Sequence, residues 1–146
     1  MNWLFDTDVI SESRRKKPSE TVARWIASIE LRQSFTSAMV LAELVYGAGL
    51  VDDVLKRMAL QKWIDDTVRG WFHGRILETD EAILLRWRIL RQKMEKLGKP
   101  APAVDLLIAA AAMENGLGVA TRDTAPFVAC GLPVLNPFTG ERFNGA

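Results

Sequence analysis

The chain has 146 residues, a hydrophobic share of 49% and a net charge of +1, from 19 Lys and Arg against 18 Asp and Glu. These values fit one domain, residues 1–146, with apolar residues enough for a core, and they exclude a disordered chain and a histone-like polycation. Nucleic acid stays open as a partner, because basic residues act through their clustering rather than their total.

In chain order, Trp3-Leu4-Phe5 reads as a short buried strand that runs straight into Asp6. A helical stretch follows from about Val9 and breaks near Pro18. Ser19 is placed to cap a helix whose apolar face is Val22, Ala23, Trp25, Ile26 and Ile29. "SFTS" is a brief strand, and Ser37 caps the next helix, "AMVLAELVYGAG". The segment "VDDVLKRMALQKWIDDTVRGWF" is amphipathic, with Val54, Leu55, Met58, Leu60, Trp63, Ile64 and Val68 as its expected buried set. "RILE" is a further strand. "DEAILLRWRILRQKMEKLG" is a strong amphipathic helix closing at Gly98, and "KPAPAV" is extended because of its prolines. "DLLIAAAAMENG" is apolar nearly all round and reads as a central buried helix. "LGVAT" and "LPVLN" are the last strands. Strands alternating with helices predict an α/β fold, a three-layer α/β/α sandwich around a parallel sheet.

Cys130 is the only cysteine, which excludes an internal disulfide and a cysteine-based zinc cage. A reducing, cytoplasmic setting is expected, because there is neither a basic n-region nor a long apolar h-region at the start and no apolar run of membrane-spanning length. His73 is the only histidine and reads as a residue at a helix C-terminus. Chemistry must therefore come from carboxylates.

In a parallel sheet, function gathers at the carboxyl ends of the strands. Asp6 and Asp123 lie just past such ends, and Asp105 opens the apolar helix. Each of the three also reads as a helix cap or a dipole partner. Glu43 does not. It lies mid-helix in a segment that looks buried, and positions 39, 40, 46 and 47 offer no cation. A bound metal is the economical partner, and oxygen-only ligands suit Mg²⁺ or Mn²⁺. Asp8 has two readings, as a pocket member or as a side chain bonding local backbone amides near a helix start; the second is preferred. The basic run Arg14–Lys17 reads as a solvated helix end, with Arg122 better placed to meet a phosphate. The tryptophans read as core or dimer packing rather than as base-stacking platforms.

Four stretches, "LFDTDVISE", "SAMVLAELVYG", "PAPAVDLLIAAAA" and "GVATRDTAPF" followed by "GLPVLNPF", come in one order along nearly the whole chain. In them the sequence resembles the PIN-domain ribonucleases, closely the VapC/FitB type of toxin from bacterial toxin–antitoxin pairs. The resemblance implies an acidic site at Asp6, Glu43, Asp105 and Asp123. It also implies cleavage of RNA dependent on a divalent metal, with P–O3′ scission leaving a 5′-phosphate. Inhibition by a cognate VapB-like antitoxin and assembly as dimers with antitoxin dimers follow from it too. On this reading Asp6, Asp105 and Asp123 hold Mg²⁺ or Mn²⁺, Glu43 is a ligand or orients a water, and Thr121 positions the water through its hydroxyl. The chain departs from the family pattern where Asp8 replaces an Asn and Pro126 replaces an Asp, so the fourth acid rests on Asp123 alone.

Three rival readings exist. In a phosphatase of the haloacid dehalogenase type Asp6 would be the nucleophile and Asp8 the acid/base, but no later G-D-x-x-x-D segment follows. A receiver-type phospho-acceptor needs a lysine near the last strand, where Asn136 stands. The third is a catalytically silent PIN-like binding module.

Overall fold

Trp3–Phe5 forms β1, and all three side chains are buried, as apolar runs are when helices cover both faces of a parallel sheet. The computed structural model describes residues 1–146. After β1 come α1 (Thr7–Glu12), α2 (Glu20–Ser28), β2 (Ser34–Ser37), α3 (Ala38–Gly49) and α4 (Val54–Trp63). A π-helical turn (Ile64–Val68) joins α4 to the short α5 (Arg69–Trp71), and β3 (Ile76–Leu77) follows. The second half holds α6 (Glu81–Lys96), α7 (Ala103–Glu114), β4 (Gly118–Ala120), α8 (Ala125–Ala129), β5 (Val134–Leu135) and β6 (Arg142–Phe143).

The six strands lie in the order β3-β2-β1-β4-β5-β6. β1 pairs in parallel with β2 and β4, and the pairs β2–β3 and β4–β5 are parallel as well. The α/β sandwich expected from the alternation of elements is therefore present. β6 is the exception to an all-parallel sheet, since it runs antiparallel to β5. It returns through a tight turn in which Gly140, at φ +84°, donates to Asn136 O at 2.7 Å. Two partly exposed residues carry no strand periodicity, so this hairpin had no apolar signature in the sequence.

Local chemistry places the helices as expected. Ser19 and Ser37 accept from the amides of Val22 and Val40, and Asp80 caps α6 through Ile83. One face of β1 meets an aromatic cluster. Phe5 lies 5.1 Å from Trp25 and 5.6 Å from Phe72 between ring centres, and Trp71 stacks on Phe72 at 4.6 Å. The tryptophans Trp3, Trp25 and Trp71 thus serve packing. Helix α7 buries Leu106, Ile108 and Ala109–Ala112, and these small side chains let it pack closely against its neighbours α6, β4 and α3.

The buried set expected for the 54–68 segment needs correction. Ile64 and Val68 are buried, and Leu60 and Trp63 are half-buried, but Val54 (54%), Leu55 (80%) and Met58 (58%) are exposed. On a regular helix Val54, Leu55 and Met58 fall on one side of α4 and Leu60 and Trp63 on the other, so the expected set spans both sides and only the second packs on the core. Tyr46 of α3 and Leu50 at its end are exposed as well.

Gly118 is a close-approach position. A Cβ there would stand 2.6 Å from Cζ3 of the buried Trp3 ring. Gly118→Ala is expected to cost about 1–3 kcal/mol in urea denaturation. Unchanged stability would show that the ring yields freely.

Candidate active site

The chain crosses the sheet in two directions from β1, through β2 and β3 to one edge and through β4 and β5 to the other. The gap between the carboxyl ends of β1 and β4 is therefore the topological switch point, where open α/β sheets bind ligands. Asp6 follows β1 there and Thr121 follows β4. The Asp6 amide donates to Ala120 O at 3.0 Å, which brings the two ends together.

Asp6 is 7% exposed and ends β1 with extended backbone. Its Oδ1 accepts from Thr7 N at 2.8 Å and its Oδ2 from the Thr121 hydroxyl at 2.9 Å. Thr121 is fully buried, and its Oγ1 also accepts from Asp123 N at 3.1 Å. Asp8 Oδ2 accepts from Arg122 N at 2.8 Å, while Asp8 Oδ1 is buried with no partner. Asp105 stands half-buried in the first turn of α7, and Asp123 and Glu43 are exposed.

These acids act on one another. Burial, then the charge of Asp8, pushes Asp6 up to about 6, against the opposing bonds from Thr7 and Thr121. Burial also raises Asp8, despite the Arg122 amide. Asp105 is raised by burial and then by Asp123, Asp8 and Glu43. None of the ion pairs in the protein involves these side chains. The site is a set of carboxylates without a cation of its own.

The structure thus brings Asp6, Glu43, Asp105, Asp123 and Thr121 into one neighbourhood, though not always for the expected reason. Glu43 was singled out as a buried charge. In fact α3 buries only Val40, Leu41, Leu44 and Ala48, and Glu43 is on its open side. There it lines a cavity of about 310 Å³ with Thr7, Leu44, Trp63 and Ile64. Asp123 does not cap α8, because Thr124 holds that position. The Thr121 hydroxyl is committed to Asp6 and to the Asp123 amide, so its place is between carboxylates rather than free toward a water.

Asp8 does bond a backbone amide, but one 114 residues away. Asp8 does stand beside Asp6, with the Thr121 hydroxyl 2.9 Å from Asp6 Oδ2 and 3.4 Å from Asp8 Oδ2, but its Oδ2 is held by an amide at the β4 end. The Arg122 guanidinium lies over the Phe138 ring at 3.7 Å, and Arg14 lies 5.6 Å over Trp63. Glu12 was missed in the sequence. It is 7% exposed and accepts from Ser19 N at 3.0 Å, holding the α1–α2 connection. An acid closing a short helix ahead of a capping serine was the only available signal.

The neighbouring carboxylates of Asp6, Asp105, Asp123 and Glu43 offer oxygen donors of the kind suited to a hard divalent cation. No three of these acids stand close enough together to hold an ion between them, so a cation here would rest on fewer direct protein oxygens and complete its shell with water, as Mg²⁺ commonly does.

The PIN domain profile matches residues 4–130. Toxin FitB of Neisseria gonorrhoeae is 38% identical over 135 residues, spanning 92% of this chain and 97% of FitB. A VapC ribonuclease of Sinorhizobium fredii is 33% identical, over 92% of this chain and 96% of its own. Among solved structures, that of FitAcB from N. gonorrhoeae superposes with a TM-score of 0.88 at 38% identity, covering 93% of this chain and 98% of the other. A structure of FitAB bound to a DNA fragment gives 0.87 at 36% identity, covering 93% and 95%. With its acids gathered at the switch point of a β3-β2-β1-β4-β5 sheet, the chain belongs to the PIN-domain family.

Proposed function

We propose that this protein is a metal-dependent endoribonuclease and the toxin of a toxin–antitoxin pair. The observation that carries the reading is that Asp6, Asp105, Asp123 and Glu43 stand near enough to raise one another, as Asp105 is raised by Asp123 and Glu43 and Asp6 by Asp105, with none of them in an ion pair. Several buried or neighbouring carboxylates remain ionised together only with a counter-charge. Similarity to toxins and ribonucleases over nine-tenths of the chain supports RNA as substrate.

Asp6, Asp105 and Asp123 are the proposed holders of Mg²⁺ or Mn²⁺, directly or through waters. Such an ion supplies a nucleophilic water at neutral pH and offsets charge on the phosphodiester. Thr121 fixes the Asp6 carboxylate through its hydroxyl, and the Thr7 amide fixes the other oxygen. Glu43, open to the crevice, orients substrate or water.

The cavity beside Glu43 is an apolar groove floored by Leu44, Ala48, Leu60, Trp63 and Ile64. It ends at Thr7 and Glu43, next to the acids. An antitoxin segment lying in it with a basic side chain at its end would cover the site. The similar FitAB structure is bound to a DNA fragment. The uncovered face of Tyr46, Leu50, Leu55 and Met58 suits a further protein contact, such as a homodimer. No helix is long and apolar enough to cross a membrane, and a cytoplasmic place near RNA is proposed.

The test is cleavage of a mixed RNA pool by antitoxin-free protein, with Mn²⁺ or EDTA, for wild type and Asp105→Asn. Cleavage with metal alone, lost in the variant while circular dichroism is unchanged, is expected. Full cleavage in EDTA overturns the reading, and no cleavage under any condition favours the silent binding module.

A further inference from the structure

The proposed function gives work to Asp6, Glu43, Asp105 and Asp123 and none to Asp8. We propose that Asp8 is a positioning residue, which ties the Thr121–Asp123 turn to the end of β1 and so places the Asp123 carboxylate beside Asp105. The inference rests on the metal site proposed above and adds a residue that acts on it through another.

Two successive amides of the turn are held by side chains, one by Asp8 from the far strand end and one by Thr121 of the turn itself, whose hydroxyl is fixed by Asp6. Arg122 N donates to Asp8 Oδ2 at 2.8 Å. Asp123 N donates to Thr121 Oγ1 at 3.1 Å, whose proton goes to Asp6 Oδ2 at 2.9 Å. The Arg122 side chain leaves in another direction and lies on Phe138 at 3.7 Å. Asp123 itself is exposed, and α8 begins only at Ala125. No regular element therefore fixes residue 123. Its backbone is placed by the Asp8 bond on one side and by Thr121 on the other.

A ligand role for Asp8 is the competing idea. Its Oδ2 is already taken by an amide, a charge-assisted bond of the stronger kind, and its Oδ1 is enclosed. The two ideas differ on substitution by Asn. Asn keeps an acceptor oxygen for the Arg122 amide and loses the charge, whereas Ala loses both.

The experiment measures Mn²⁺ affinity by electron paramagnetic resonance titration, with hydrogen exchange of the Arg122 and Asp123 amides, on wild type, Asp8→Asn, Asp8→Ala, Asp123→Ala and the double variant Asp8→Ala with Asp123→Ala. Asp8→Ala is expected to weaken Mn²⁺ by about tenfold or more, as loss of an outer-shell partner does, with faster exchange at Arg122. Asp8→Asn should keep the amide protected and lose clearly less affinity. In the Asp123→Ala background, Asp8→Ala should add little, because its effect passes through residue 123. Equal losses in Asn and Ala, or full additivity with Asp123→Ala, overturn the tether in favour of a direct charge role. If wild type binds no Mn²⁺, the metal site fails on its own account. The exchange data still judge the tether, and unchanged Arg122 protection in Asp8→Ala sinks it.

Discussion

Asp6→Asn is expected to stabilise the metal-free protein at neutral pH while removing RNA cleavage. In the folded chain, burial and the neighbouring Asp8 charge raise Asp6 from 3.8 to about 6. Between those values the folded state holds a proton that the unfolded state has released. Stability from this group is therefore full below pH 3.8 and is lost as pH rises to about 6. The ionised side chain then costs at most about 3 kcal/mol at pH 7. Asparagine has no charge to bury and keeps the bonds. Its oxygen accepts from Thr7 N, and its amide group donates to Thr121 Oγ1, whose hydrogen can turn to Asp8 Oδ2 at 3.4 Å.

Urea denaturation in EDTA from pH 4 to 8 should show the wild type falling behind Asp6→Asn across that window. Adding Mn²⁺ at pH 7 should raise the wild type and leave the variant unmoved. A wild-type-minus-variant difference that is flat with pH would refute the buried-charge account. Cleavage by the variant should drop by about a hundredfold or more, since both the ion and its alignment are lost.

A second large effect is expected from Gly47→Trp. Gly47 lines the apolar groove beside Glu43, and a Cβ on it meets nothing within 4 Å. An open Cβ position on an exposed helix face predicts that the variant folds, to be checked by circular dichroism, and replacing a helical glycine should add a few tenths of a kcal/mol to about 1 kcal/mol. The indole fills the space proposed for an antitoxin segment. Affinity for the cognate antitoxin, measured by calorimetry, should fall by about a hundredfold, close to 3 kcal/mol. Undiminished binding would move the antitoxin to another surface, with the exposed face of Tyr46, Leu50, Leu55 and Met58 next in line.

The sequence by itself determined the α/β class, the caps at Ser19 and Ser37 and the central place of α7, and it picked out the acids that the fold brings near one another. These are local or periodic properties. A three-residue apolar strand, a capping serine and an alanine-rich helix carry their own instructions. Asp6 and Asp123 were legible because strand ends can be read and function collects there.

Only the tertiary structure decided the rest. Whether α3 is buried all round depends on what packs against it. Glu43 thus reached the crevice on an open side that no window of sequence could show. The apolar residues of α4 occupy two sides of the helix, and packing chose the side of Leu60 and Trp63, which left Leu55 and Met58 exposed. The bond from Asp8 to Arg122 joins residues 114 apart, and the strand order alone makes them neighbours. Hydrogen bonds across a switch point are consequences of topology, and topology arises from which faces bury one another.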